Sequence, residues 1–284
     1  MRTRALSPDD VAAVARLRAR VDTYWFGAPE SDEAETAEEL ARVASEHGLL
    51  VVDGDRLVGA LWWWSTTGTV LVDPAAADSD AVIAVSLDFA ERIGVPEVHA
   101  LSRDERLRAA LDARGWRHTH SGFDLLRPVS DDWTLPAPHW PAGVALAPFA
   151  SLDPHDVHEL IYVAAEWSAV PGHVTRPLAE WRSIFLDPVS PDLHLVAARG
   201  DRLVGVALGR IFADGTGWLA QLAVARADRG HGLGRALLLA ALRHYRTAGA
   251  TVLGLGVEAE NATALRLYEG VGLRIDREWQ TFAY

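Results

Sequence analysis

Six residues, Gly-Asp-Arg-Leu-Val-Gly, occur twice in this chain, at 54–59 and again at 200–205. Each copy follows an apolar run, residues 49–52 and 194–197, and precedes another, residues 60–64 and 206–211. A Gly-Asp pair between two such runs predicts a β-hairpin, because glycine supplies the positive φ that a tight turn needs. The likeness continues downstream, where residues 111–116 stand as residues 268–273 do in the second half. A chain that repeats itself in this way folds as two similar domains, not one large one. Its 284 residues, 49 % of them hydrophobic, suffice for two ordinary cores. Between the copies lie four prolines, Pro128, Pro136, Pro138 and Pro141, with Trp133 and Trp140. Proline stiffens a chain and removes ladder donors. The expected division is a first domain at 1–128, a linker at 129–142 whose tryptophans pack it onto a domain, and a second domain at 143–284.

Both copies read in the order β-α-α-β-β-β-α-β-α-β. The first has a strand at 3–6, a helix from Pro8 to about Val21 capped by Ser7, and a second helix running through Glu46. After the hairpin come a strand at 69–72, a helix at 80–93, a strand at 97–101, a helix at 104–113 and a closing strand at 118–126. The second copy has a strand at 144–147, helices at 154–167 and 177–186, the hairpin, and a strand at 217–224. A helix from Arg235 to about Ala248, a strand at 251–257, a helix at 262–270 and a last strand ending at Tyr284 complete it. The fold class is α/β (α+β), with two tandem domains, each a mixed, mostly antiparallel sheet flanked by helices. Trp62, Trp63 and Trp64 alternate along one strand, so Trp63 faces opposite to its neighbours. One of those faces needs a cover, and the other repeat is a candidate for it.

The chemistry gathers at residues 224–239. An apolar strand runs into Arg229, Gly230, His231, Gly232, Leu233 and Gly234, and an apolar helix follows from Arg235. The glycines remove side chains that would keep a ligand from the backbone. The first turn of a helix has unpartnered N–H groups and the positive end of the helix dipole, so the turn can cradle phosphate oxygens. A tight turn with no ligand is the plainer alternative.

The R-x-x-G-x-G at Arg229, Gly232 and Gly234 resembles the acyl-CoA pyrophosphate loop of the GCN5-related N-acetyltransferases (GNAT). Residues 261–273 resemble that family's N-x-x-A-x-x-L-Y-x-x-x-G-F signature, with Leu273 in place of phenylalanine. The resemblance implies two tandem GNAT folds and direct transfer of an acetyl group from acetyl-CoA to an amine. It assigns the span Arg229, Gly230, His231, Gly232, Leu233, Gly234 and Arg235 to the pyrophosphate. It puts the backbone of Leu222, Ala223 and Val224 against the thioester, makes Tyr268 the general acid, and brings Asn261 and Tyr268 to the cofactor. Tyr268 could equally pack beside Leu265 and Leu267, and Asn261 could serve only as a helix cap. Many family members carry a glutamate base on the fourth strand, where this chain has Gln221. Glu258, at the end of the next strand, is the nearest replacement, with a solvated carboxylate as the alternative. His173, Glu166 and Asp214 are fallbacks. Trp167, His173, Phe212, Trp218, Trp279 and Tyr284 lie in stretches that shape the acceptor site, although core packing explains most of them as well. The tandem arrangement is similar to that of the mycothiol synthases, which implies a cysteinyl amine as one acceptor. A non-catalytic acyl-CoA sensor is the rival from another class.

The first copy keeps the hairpin and loses the loop. It runs 56 residues from Gly59 to Gly115, against 67 from Gly205 to Gly272, and reads V-D-P-A-A-A-D-S-D where the glycines belong. Leu111 replaces Tyr268 and Asp104 replaces Asn261, so one CoA per chain is expected, in the second domain. All 27 basic residues are arginine and the formal net charge is -12. Residues 1–142 carry -10 of it (14 Arg, 24 Asp plus Glu) and residues 143–284 carry -2 (13 Arg, 15 Asp plus Glu). This balance argues against nucleic acid or an anionic membrane as a partner. Without cysteine there is no disulfide, thiolate nucleophile or Cys-based metal site, and no metal is expected. No apolar run reaches membrane-spanning length and the first ten residues lack a signal h-region, so the expected setting is cytoplasmic, as a monomer or homodimer.

Overall fold

The computed structural model describes residues 1–167, 175–187 and 189–284. These divide into two compact units, residues 1–123 with 277–284, and residues 124–276. In the first unit β1 (Arg2–Ala5), β2 (Gly48–Asp53), β3 (Arg56–Trp64) and β4 (Thr67–Val72) form an antiparallel run. β5 (Glu97–Leu101) joins β4 in parallel at Thr67↔Glu97 and Gly68↔Val98. Helices α1 (Val11–Phe26) and α2 (Glu33–Leu40) lie with one apolar cluster, which contains Trp62 and Leu17. α3 (Ser79–Ile93) and α4 (Glu105–Ala113) lie with the other, which contains Leu87, Leu111 and Trp116. Trp63 packs on the second cluster and Trp64 on the first, as the alternation predicts. Each tryptophan face is covered by helices of the same unit, so the other repeat is not needed as its cover.

Local signals set most element ends. Gly27 closes α1 at φ 87°, five residues beyond the expected stop, because its N–H still reaches the Thr23 carbonyl. Asp104 caps α4 by accepting the Leu107 N–H at 3.0 Å. α2 ends at Leu40, short of the expected Glu46, and a separate 3-10 turn at Ser45–His47 leads into β2.

β6 (Arg117–Pro128) carries the chain from the first unit into the second. There β7 (Val144–Ala147), β8 (Leu195–Arg199), β9 (Arg202–Ile211) and β10 (Thr216–Val224) are antiparallel neighbours, and β11 (Val252–Glu258) joins β10 in parallel. α5 (Pro154–Glu159) opens on Asp153, whose carboxylate accepts the His155 N–H, and passes into a π turn at Leu160–Ala164. α6 (Leu178–Phe185) follows, and Trp181 from it is fully buried with Tyr162 and Leu208. α7 (Leu233–Thr247), α8 (Ala262–Glu269) and β12 (Arg274–Ala283) complete the chain.

The units do not end where the repeats were expected to end. The proline-rich segment belongs to the second unit: Val129 donates to the Thr251 carbonyl and the buried Trp133 donates Nε1–H to the Val271 carbonyl at 3.1 Å. Trp140 is half-buried. The last eight residues belong to the first unit, because β12 runs antiparallel to β5 from Trp279↔Leu101 to Ala283↔Glu97 and buries Phe282 in that core.

The repeated hexapeptide has a second use that its turn does not reveal. Arg56 donates Nη2–H to the buried Asp73 at 2.7 Å, and Arg202 donates Nη1–H to the buried Asp228 at 2.8 Å. Each arginine thus pins the residues that follow the fourth strand of its own repeat. Burial would raise the Asp73 carboxyl, but the Ala75 N–H and the Arg56 and Arg20 guanidinium groups outweigh it and hold it below the usual carboxylate range.

Candidate functional site

One extra residue interrupts the pairing of β10 with β9. Leu219 opposes Gly209 of β9 and Gln221 opposes Leu208, which leaves Ala220 as a bulge. A bulge bends its strand and sharpens the local twist. The parallel register with β11 runs from Thr216↔Val252 only to Leu219↔Leu255. Past the bulge, residues 220–224 and 256–258 are outside that parallel register. Leu222, Ala223 and Val224 follow the bulge on β10 and pair with Ala207, Val206 and Gly205 of β9.

β10 then passes through a 3-10 turn, Arg226–Asp228, into the glycine loop. Gly230 and Gly232 sit at φ 81° and 82°, and Gly232 caps α7, which starts at Leu233, two residues before the expected start. That conformation favours glycine. A Cβ on either glycine would meet nothing within 4 Å, so the space in front of the loop is open. Leu233 is buried and anchors the helix, whereas His231 and Arg235 are exposed on either side of it. A Cβ on Gly234 would lie 3.7 Å from Val224 Cγ2 and 3.9 Å from Leu267 Cδ2, which brings β10, the start of α7 and α8 together.

Arg229 does something other than face a ligand with free donors. Its Nε–H reaches the Val224 carbonyl at 3.2 Å and its Nη2–H the Ala165 carbonyl at 2.6 Å. Nearby, Arg226 pairs with Glu166 at 2.7 Å, and Glu166 itself stands at φ 55°. Two arginines of the loop thus hold the two residues that follow the π turn. π turns and left-handed non-glycine residues concentrate at functional sites.

Asn261 caps α8 by accepting the Ala264 N–H at 3.1 Å. Seven residues on, Tyr268 is 8 % exposed, and burial pushes its phenol up to about 12. Glu258 is exposed at the end of β11, and its carbonyl accepts the Asn261 N–H at 3.0 Å. Among the fallback carboxylates, Glu166 is held by Arg226, and Asp214 accepts the Thr216 N–H and hydroxyl in the β9–β10 turn. His173 lies outside the described residues.

Gln221 is 3 % exposed and accepts the Trp181 Nε1–H at 2.9 Å. It also hydrogen-bonds Tyr162, whose phenol burial pushes up against the opposing pull of the Arg176 backbone. His158 stacks within this group, 4.6 Å from the Tyr162 ring and 5.5 Å from the Trp181 ring. Sequence reading missed Trp181 and His158. The available signal was a glutamine in an otherwise apolar strand, which needs a buried donor.

Of the aromatic residues expected around an acceptor, Trp167 packs on the Trp181 cluster and Trp218 pairs across the sheet with Gly254. Phe212 lies under the Arg210 guanidinium at 4.8 Å. Trp279 and Tyr284 are placed differently from expectation: Trp279 pairs with Leu101 and Tyr284 rests against Trp116, both in the first unit. In that unit the positions of the loop are filled by the pinned Asp73 and by Asp78, which caps α3 through the Ala81 N–H. Among the described residues no three His, Asp or Glu side chains converge as a metal site would require, and no helix is long and apolar enough to cross a membrane.

Residues 155–273 match the model of the Acetyltransferase (GNAT) family. The chain is similar to a mycothiol acetyltransferase of Kineococcus radiotolerans, 32 % identical over 72 % of this chain and 68 % of that one. A GCN5-related N-acetyltransferase from Sphaerobacter thermophilus shares its fold at a TM-score of 0.79 and 23 % identity, over 100 % of this chain and 95 % of that one. A tandem GNAT protein from the clavulanic acid biosynthesis pathway does so at 0.73 and 18 %, over 100 % and 98 %.

Proposed function

This chain belongs to the GNAT acetyltransferase family, and from that premise we propose that its second unit alone moves an acetyl group from acetyl-CoA to the primary amine of a small molecule or peptide. The observation that carries this reading is the unobstructed glycine loop at the start of α7, which follows a strand bent by the bulge at Ala220. The pyrophosphate sits on the N–H groups from Gly230 to Arg235, where the dipole end of the 15-residue α7 favours anions. The thioester lies against β10 past the bulge, and a backbone N–H among Leu222, Ala223 and Val224 donates to its oxygen as charge develops there.

The amine lone pair forms the C–N bond at the carbonyl carbon and the C–S bond then breaks. The departing thiolate takes the phenolic proton of Tyr268, and the ammonium gives up its proton to Glu258. A phenol at about 12 stays protonated at every physiological pH. Against a thiol near 8.5 in water the transfer is uphill by roughly 5 kcal/mol, and a thiolate that leaves beside the buried phenol is raised by desolvation in the same way, which narrows the gap. The name of the relative favours a cysteinyl amine among the small acceptors. One CoA per chain follows from the glycine-free, aspartate-filled loop of the first unit.

An amine and peptide panel with acetyl-CoA, read by free thiol release, tests the reading. Amine-dependent release with a cysteinyl amine among the better acceptors is expected. Tight CoA binding with no release against any amine would make the chain an acyl-CoA sensor instead.

Arg229 belongs to this mechanism as a brace between the loop and the π-turn segment. Lysine keeps the charge but not the fork that reaches two carbonyls at once. Arg229→Lys and Arg229→Ala are therefore both expected to raise the acceptor KM, by about tenfold or more for lysine, which loses one charged hydrogen bond, and further for alanine, which loses both, with CoA affinity nearly unchanged. CoA affinity lost in the alanine variant and restored by lysine would return this side chain to the phosphate.

A further inference from the structure

The first strand and first helix of the two repeats differ in charge. β7 reads Val-Ala-Leu-Ala, whereas β1 reads Arg-Thr-Arg-Ala. Arg2 and Arg4 of β1, Arg16 and Arg20 of α1, and Arg56 in the β2–β3 hairpin line one cavity of about 330 Å³. Asp55 is the only acid in its wall.

Three of these guanidinium groups are fixed from behind. Asp10 accepts from Arg4 at 2.7 Å, and the fully buried Asp73 accepts from Arg20 at 2.8 Å and from Arg56 at 2.7 Å. Neither aspartate lines the cavity. Among the described residues, Arg2 and Arg16 have no carboxylate within ion-pair distance. Five positive groups thus face three carboxylates, a surplus of two in a half of the chain whose net charge is -10. Like charges that converge on a concave surface repel one another and focus a positive potential there. An anion relieves that repulsion, and the planar guanidinium fork matches the oxygens of phosphate and carboxylate alike.

We propose that this cavity in the first unit binds a small multivalent anion bearing phosphate or carboxylate groups. Its volume lies at the small end of ligand pockets, which run from roughly 300 to 1,000 Å³, and so suits an anion the size of pyrophosphate or a tricarboxylate. It is separate from the glycine loop of the second unit in residues, repeat and strand. The repeat that lost its phosphate loop has an anion site of another construction.

Calorimetric titration of the full chain tests this, with CoA held at saturation so that the glycine loop is blocked. Pyrophosphate and citrate are the two probes, and the tighter of them names the anionic group. One site per chain is expected, with affinity falling as salt is raised. Arg2→Ser combined with Arg16→Ser removes the two unpaired guanidinium groups and leaves the buried pairs of Asp10 and Asp73 in place. That double variant is expected to keep the wild-type Tm and acetyl transfer and to bind the anion about tenfold or more weakly, the size of one lost charged hydrogen bond. Heat from neither anion, or equal affinity in the wild type and the double variant, overturns the site.

Discussion

Gly232→Glu is expected to abolish CoA binding, and it is the largest single effect anticipated in this chain. Gly232 stands at φ 82° as the cap of α7. A side chain in that conformation costs about 1–2 kcal/mol. A Cβ there would point into open space, so steric obstruction within the protein adds nothing. The glutamate carboxylate would instead share that space with the phosphates. Two unit charges about 4 Å apart at an effective dielectric of 20 repel by about 4 kcal/mol, which alone is about a thousandfold in affinity, whereas the strain lowers stability and not affinity. Gly232→Ala separates the terms, because it keeps the strain without the charge and should lower the Tm while leaving most of the CoA affinity. Titration of the wild type should give one CoA per chain. A folded Gly232→Glu variant with the wild-type CoA affinity would remove the phosphate from this loop.

Tyr268→Phe is expected to lower the rate of acetyl transfer by about 10²–10⁴-fold, the usual worth of general acid catalysis, with CoA affinity within about a factor of two. The ring stays in its buried place on α8 and only the proton donor is lost. Burial holds the phenol near 12, so its deprotonation costs activity only as pH rises toward that value. The pH profile of the wild type should therefore show no alkaline loss from this group below about pH 10. Equal losses in CoA binding and in turnover would make Tyr268 a packing residue, like Leu111 at the matching position of the first repeat, which is wholly buried.

The order of elements, the hairpins, the glycine loop and the cap at Asn261 could all be read along the chain. They rest on turn chemistry, periodicity and capping, which act over a few consecutive residues. What pairing decides was hidden. The bulge at Ala220 exists only as a mismatch between β10 and β9, and no residue type announces it. Trp279 and Tyr284 were read with the second repeat because they follow it in sequence, yet β12 takes its hydrogen bonds from β5, far away along the chain. Arg229 matches a phosphate-loop pattern, but its guanidinium is drawn to the Ala165 carbonyl, 64 residues earlier. Gln221 announces a polar site in an apolar strand without naming Trp181 as its donor. The cavity arginines are spread from Arg2 to Arg56 and look like ordinary surface charge until β1, α1 and the hairpin bring them together. Side-chain chemistry is set where a residue stands in the sequence. Its partners depend on which distant strand or helix reaches it, and only the packed fold fixes that.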